Sequence, residues 1–186
     1  MSHFEKYLAY LDDIFVVEPL FFSNESLIEG IGNVTAIVYQ DIPEPGMITG
    51  FSYGLSLYAH PDWKYGRPEL CISVDSSDVA WGEVVGFLAN QGRGNGNIAF
   101  CYGDTINFRE QIADDSSMDA FLLFAPAILA REQYSEIDVG AEYKINIAGL
   151  YPIYSSEIDT YHRIGLYEFW HHPKFELYSV TRPPIF

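Results

Sequence analysis

The chain has 186 residues, long enough to bury about 70% of its unfolded surface, and at 48% hydrophobic and 16% aromatic it is too apolar for disorder. Ten Lys and Arg stand against 26 Asp and Glu, a formal net charge of −16. Such a surface repels phosphate backbones, which argues against a general nucleic-acid binder; it serves either solubility or fast encounter with a basic partner.

In chain order, Ser2-His3-Phe4-Glu5 has the form of a capping box, and Phe4, Tyr7, Leu8, Leu11 and Phe15 recur at helical spacing. This predicts an amphipathic helix over 3–16, ended by Pro19. The N-terminus lacks the basic, apolar, small-residue order of a signal peptide. Residues 18–33, with Ser23, Asn24, Gly30 and Gly32, read as connection, and Val34–Gln40 as a β-branched strand. Asp41–Gly46 is a stiff, proline-rich turn.

The stretch Gly46–Val74 reads as the hairpin-like centre of a sheet. Thr49, Phe51, Tyr53, Leu55 and Leu57 alternate with Ile48, Gly50, Ser52, Gly54, Ser56 and Tyr58, the two-residue period of a strand. His60–Gly66 is turn-rich, and from Pro68 a second strand alternates Leu70, Ile72 and Val74 with Glu69, Cys71 and Ser73. Gly50-Phe51-Ser52-Tyr53-Gly54 matches G-x-S-x-G, the nucleophile elbow of α/β-hydrolases. That chemistry needs Ser52 on a sharp turn from a strand into a helix. The alternation instead runs on to Tyr58 with no helix following, so a glycine-marked strand is expected.

Ser77-Asp78 caps a predicted helix over Val79–Asn90 that buries Val79, Trp81, Val84, Val85 and Leu88. Gly92–Asn97 is glycine-rich but lacks the Lys-Ser/Thr and helix of a phosphate loop, and reads as a flexible stop. Ile98–Phe108 is expected as a strand, Asp114–Asp119 as an acidic turn, and Phe121–Leu129 as a buried strand bent near Pro126. Another strand runs from Tyr143 towards Tyr151-Pro152, and a last helix capped by Ser155 or Ser156 holds Ile158, Tyr161, His162, Gly165 and Phe169. The longest apolar run, Ala120–Ala130, has eleven residues, against about 20 for a membrane span. Cys71 and Cys101 both lie in apolar runs and are expected as buried free thiols. With no leader or span, this points to the reducing cytoplasm.

No chemistry stands out. His3, His60, His162, His171 and His172 form no chelating spacing, so no metal or other cofactor is expected. Asp114-Asp115 reads as a solvated turn. No repeat or linker divides the chain, which points to one domain over 1–186.

The run Ile48–Ser56 (ITGFSYGLS), then Gly66–Val74 (GRPELCISV), the helix DVAWGEVVGFLA and Phe100–Ile106 (FCYGDTI) resemble the suppressor-of-fused domain family in order and spacing. Gly50, Gly54 and the segment Arg67, Pro68, Glu69, Leu70 carry the motif. The resemblance implies an α/β (α+β) fold, a mixed, largely antiparallel sheet flanked by helices, and a task of binding protein, with no catalytic residues. Eukaryotic members have a further C-terminal domain and bind a transcription factor in Hedgehog signalling. This chain is more similar to the single-domain bacterial members, many of which are taken to be immunity proteins in polymorphic toxin systems.

A cognate inhibitor must meet its toxin fast, and an acidic surface does so against a basic, nuclease-type target. Candidate contacts are Asp114, Asp115 and Asp119, and separately Glu132, Glu136, Asp138 and Glu142, with Trp63 and Tyr65 as aromatic anchors. Two rivals are a hydrolase built on Ser52 and an intracellular adaptor that binds a peptide by strand addition at a sheet edge.

Overall fold

The structure, a computed structural model, describes residues 1–186. Seven strands form one sheet: β1 (Leu20–Asn24), β2 (Val34–Gln40), β3 (Ile48–Tyr53), β4 (Arg67–Val74), β5 (Thr105–Asn107), β6 (Ala120–Phe124) and β7 (Ile145–Ile153). Their spatial order is β1-β2-β3-β4-β7-β6-β5. Every neighbouring pair is antiparallel except β4 and β7, which run parallel from Arg67 opposite Ile145 to Ile72 opposite Leu150. A parallel pair needs a long crossover, and α2 (Ala80–Gly92), β5 and β6 all lie within this one. The fold is the expected α+β arrangement, a mixed and largely antiparallel sheet between helices.

Both faces of the sheet are covered, which is why β3 is buried along its whole length. One face packs on α2: Val34, Ala36, Val38, Ile48, Leu70, Ile72, Phe121 and Leu150 enclose Trp81, Val85 and Leu88. On the other, α1 (His3–Ile14) lays Tyr7 and Leu11 over Ile37, Tyr39, Phe51, Cys71, Ile145 and Ile147. Further along that second face, α4 (Ile158–Ile164), α5 (Leu166–Trp170) and the C-terminal tail pack Tyr161, Phe169, Phe175 and Ile185 against Ala120, Leu122, Tyr151 and Ile153.

Some elements match the sequence reading and several differ from it. The expected capping box starts α1: Glu5 N–H donates to Ser2 Oγ at 3.1 Å and Ser2 N–H to Glu5 Oε2 at 2.6 Å. Residues 18–33 are not all connection, since Leu20–Asn24 pairs with β2 as an edge strand. The first central strand stops at Tyr53 and not at Tyr58, because Gly54 turns the chain (φ 125°) into a 3-10 turn, Leu55–Leu57. Only Thr105–Asn107 of the 98–108 segment is strand, and the buried run from Phe121 leaves the sheet at Phe124. Gly165 (φ 86°) splits the last helix into α4 and α5. Cys71 is buried as expected, but Cys101 is exposed.

Candidate functional site

The family-like motif forms a buried clamp on one turn. Backbone pairing between β3 and β4 ends at Phe51 opposite Cys71. Beyond it Ser52 Oγ accepts from Leu70 N–H at 2.8 Å and donates to Glu69 Oε2 at 2.6 Å. The other oxygen of Glu69 accepts from Gly54 N–H (2.8 Å), Ser56 N–H (3.0 Å) and Ser56 Oγ (2.7 Å). On the far side of the same turn, Gly54 C=O accepts from Arg93 Nη1 at 2.7 Å, and Ser56 C=O accepts from Arg67 Nη1 at 2.9 Å. Arg93 also donates to Gly32 C=O and Ser26 Oγ, so one buried guanidinium ties the 24–33 connection to the motif.

This arrangement accounts for the residue types. A Cβ on Gly54 would sit 2.7 Å from Asn33 C=O, at a φ that side chains rarely adopt. Burial raises the pKa of Glu69 above the ordinary carboxylate value, and the four donors around it pull the other way. Ser52 is fully buried with its hydroxyl committed to Glu69 and Leu70, and no histidine hydrogen-bonds to it. The nucleophile-elbow match is therefore a structural serine inside the clamp. Arg93 escaped the sequence reading, which took its glycine-rich surroundings as a flexible stop; the signal was a cation embedded in a chain that has only ten.

The surface beside the clamp carries the aromatic candidates, at the ends of β4 and β7 where both strands begin. Tyr65 is 90% exposed. Trp63 is half-buried and anchors the loop: its Nε1–H donates to Ala99 C=O at 2.7 Å and its ring packs on His60 and Tyr58. Asn146, the second residue of β7, accepts from Glu136 N–H (2.8 Å) and donates to Tyr65 C=O (3.1 Å), joining the 65 and 136 loops. Tyr65 stands between two hollows. One, about 620 Å³, is lined by Asp62, Lys64, Tyr102, Arg131 and Tyr134. The other, about 320 Å³, is lined by Arg67, Glu142, Tyr143 and Lys144, with the Arg67 guanidinium 4.0 Å over the Tyr143 ring.

Of the acidic candidates, Glu132, Glu136 and Glu142 are exposed. Glu132 lies in the short helix α3 (Arg131–Tyr134), whose Arg131 and Tyr134 line the larger hollow, and Glu142 lines the smaller one. Asp138 is exposed but paired with Lys144, which holds its carboxyl below the ordinary range. The other group lies elsewhere and two of its members have structural partners. Asp115 accepts from Ser76 Oγ and from Trp81 Nε1 (2.9 Å), and Asp119 accepts from Ser155 N–H and Oγ, both at 2.6 Å. Asp114 alone of the three is exposed without such a partner. No three His, Cys, Asp or Glu side chains are gathered as a metal site, and no helix is long and apolar enough to cross a membrane.

Comparison with known proteins follows the same lines. No curated protein matches the sequence. A crystal structure of a SUFU (suppressor of fused protein) homolog from Neisseria gonorrhoeae FA 1090 superposes with a TM-score of 0.72 at 15% identity, over 98% of this chain and 96% of that one. The crystal structure of a Sufu–Fu complex aligns with a TM-score of 0.66 at 12% identity, over 100% of this chain and 93% of that one. Drosophila Suppressor of Fused aligns at 0.69 and 12%, over 100% of this chain and 51% of that one. At these identities the likeness is one of fold. The sequence profile of the family described as Suppressor of fused protein (SUFU) matches residues 32–181, from the start of β2 to the C-terminal tail. With its clamp motif inside that match and most of its length covered, the chain belongs to the SUFU family.

Proposed function

We propose that residues 1–186 form one non-catalytic, protein-binding domain of the cytoplasm, an immunity protein that occupies and neutralises a basic toxin domain. The observation that carries this reading is Tyr65. A tyrosine 90% exposed, set between two hollows on a loop whose backbone is pinned by Trp63 and Asn146, is an aromatic anchor held out from a fixed base. Glu142 lines a hollow with it, and the exposed Glu136 sits on the loop tied to it through Asn146. The exposed Glu132 lies in the helix whose Arg131 and Tyr134 line the other hollow, and the net charge of −16 steers a basic partner towards any face. Lys64 and Arg131 in the larger hollow add registry, since they repel a partner that docks out of place. That a relative was crystallised in a Sufu–Fu complex supports a protein as partner.

The test is rescue. The protein that co-purifies from the native cell is expected to be basic, toxic when expressed alone, and harmless when co-expressed with this chain. Tyr65→Ala, or Glu132, Glu136 and Glu142 changed together to Lys, abolishes rescue while leaving the fold intact. A captured partner that is not toxic overturns the immunity reading, and rescue undiminished by both variants overturns the surface.

A further inference from the structure

Six of the eleven exposed large apolar side chains gather in one region of this molecule. Val16, Val17, Leu20, Phe21, Leu27 and Phe87 are all exposed, Val16 at 94%, and all six lie on or beside β1. β1 is an edge strand: it pairs with β2 and its other side is open. Proteins blunt such edges with lysine, proline, inward charge or a bulge. Leu20-Phe21-Phe22-Ser23-Asn24 has no charge and no proline, and its register against β2 runs unbroken from Leu20 opposite Val38 to Asn24 opposite Val34.

Beside this edge, on the α2 side, lies a hollow of about 490 Å³ floored by Phe22, Val84, Phe87, Phe108 and Ile112. Its surroundings are acidic. Glu18, Glu25 and Glu29 are exposed on the flanks of β1, Glu83 lines the hollow, and the segment from Val16 to Ile31 has no Lys or Arg. An unblunted edge supplies backbone donors and acceptors, an adjacent apolar hollow accepts every second side chain of a strand, and the charge selects its flanks.

We propose that β1 and the hollow beside it bind an extended segment of a protein partner as a further strand of the sheet. The segment has apolar residues at alternate positions, seated over Phe22 and Phe87, and Lys or Arg at its ends facing Glu18, Glu25 and Glu29. A second copy of this chain fits less well. Two-fold antiparallel pairing about Phe22 brings Glu18 of one copy beside Glu25 of the other, twice, and sets −16 against −16. This edge is separate from the Tyr65 surface, and the inference does not rest on it.

The test is selection of binders from a displayed library of random peptides on the full chain. Enriched peptides are expected to alternate apolar residues with Lys or Arg at the ends. Binding protects from hydrogen exchange those backbone amides of Leu20–Asn24 that point away from β2. It falls at least tenfold in Phe87→Asp and in the double variant Glu18→Lys/Glu25→Lys, whose exposed positions leave the circular dichroism unchanged; Tyr65→Ala binds as the wild type does. No enrichment, enrichment without that pattern, or binding indifferent to both variants overturns the proposal. So does a wild-type dimer by sedimentation that either variant dissociates, since the occupant is then a second copy.

Discussion

Two buried glutamates do opposite things with a proton, and both are out of reach of water. Glu157 is fully buried, accepts from Tyr154 N–H and Ile185 N–H, and forms a bidentate pair with Arg182 at 2.7 and 2.9 Å. Burial pushes its pKa up, but the guanidinium and the two N–H groups outweigh that and hold it below the ordinary value. Glu69 has four donors but no contacting cation, and there burial wins and the pKa is raised. The signs for stability follow. Glu157 contributes stability that is present above the ordinary carboxylate pKa and lost as pH falls through its depressed value. Glu69 keeps its proton longer folded than unfolded, so its contribution is complete below the ordinary value and lost as pH rises through the raised one. Urea unfolding across about pH 3 to pH 8 separates them: Glu157→Gln flattens the acid limb, and Glu69→Gln flattens the decline on the other side. Glu157→Gln strands a buried Arg182 and costs about 3–5 kcal/mol, while Glu69→Gln keeps the shape of the clamp and costs about 1–3 kcal/mol.

Among the elements, α2 decides how the sheet is covered. It comes close to the centre of the sheet because two glycines meet: a Cβ on Gly50 of β3 would lie 2.5 Å from the carbonyl oxygen of Gly82 and 2.8 Å from its Cα. Both are backbone atoms, so no rotamer relieves the clash. Gly50→Ala is expected to push α2 outward and destabilise by about 1–3 kcal/mol, seen as a lower urea midpoint with an unchanged slope. Retention of wild-type stability would mean that α2 is free to slide. The first glycine of the apparent G-x-S-x-G is thus a helix-packing residue, and the last, Gly54, is the turn that the clamp holds.

For the whole molecule, charge acts in two directions that salt separates. With 26 acids against ten bases, of which Arg93 and Arg182 are buried, the folded surface repels itself. Screening relieves that repulsion, with a Debye length of about 10 Å at 0.1 M salt. The midpoint of thermal unfolding should therefore rise between low salt and about 0.5 M NaCl. Over the same range, association with a basic partner should slow, by a factor of ten or more where steering dominates. A thermal midpoint insensitive to salt would show that the acids are spaced too widely to matter.

Local order carried much of the sequence reading. The Ser2–Glu5 capping box, the helical stripe of α1, the β-branched Val34–Gln40 run and the second central strand depend on neighbours within a few residues and formed where the pattern put them, as did the first central strand up to Tyr53. The order of the motif segments likewise pointed to the family. Long-range contacts decided the rest. Leu20–Asn24 has no clear alternation and becomes strand because β2 lies beside it, whereas the alternating Leu55–Tyr58 leaves the sheet because Gly54 is clamped between Glu69 and Arg93. Asp115 and Asp119 look like any solvated acids until Trp81, Ser76 and Ser155, distant in the chain, arrive as donors. Sequence alone determined which segments alternate, turn and carry charge, because those properties belong to the residues themselves. Which glutamate is caged, which serine is buried and which aromatic stands free required the folded chain, because burial and hydrogen bonding depend on partners that only tertiary structure brings within reach.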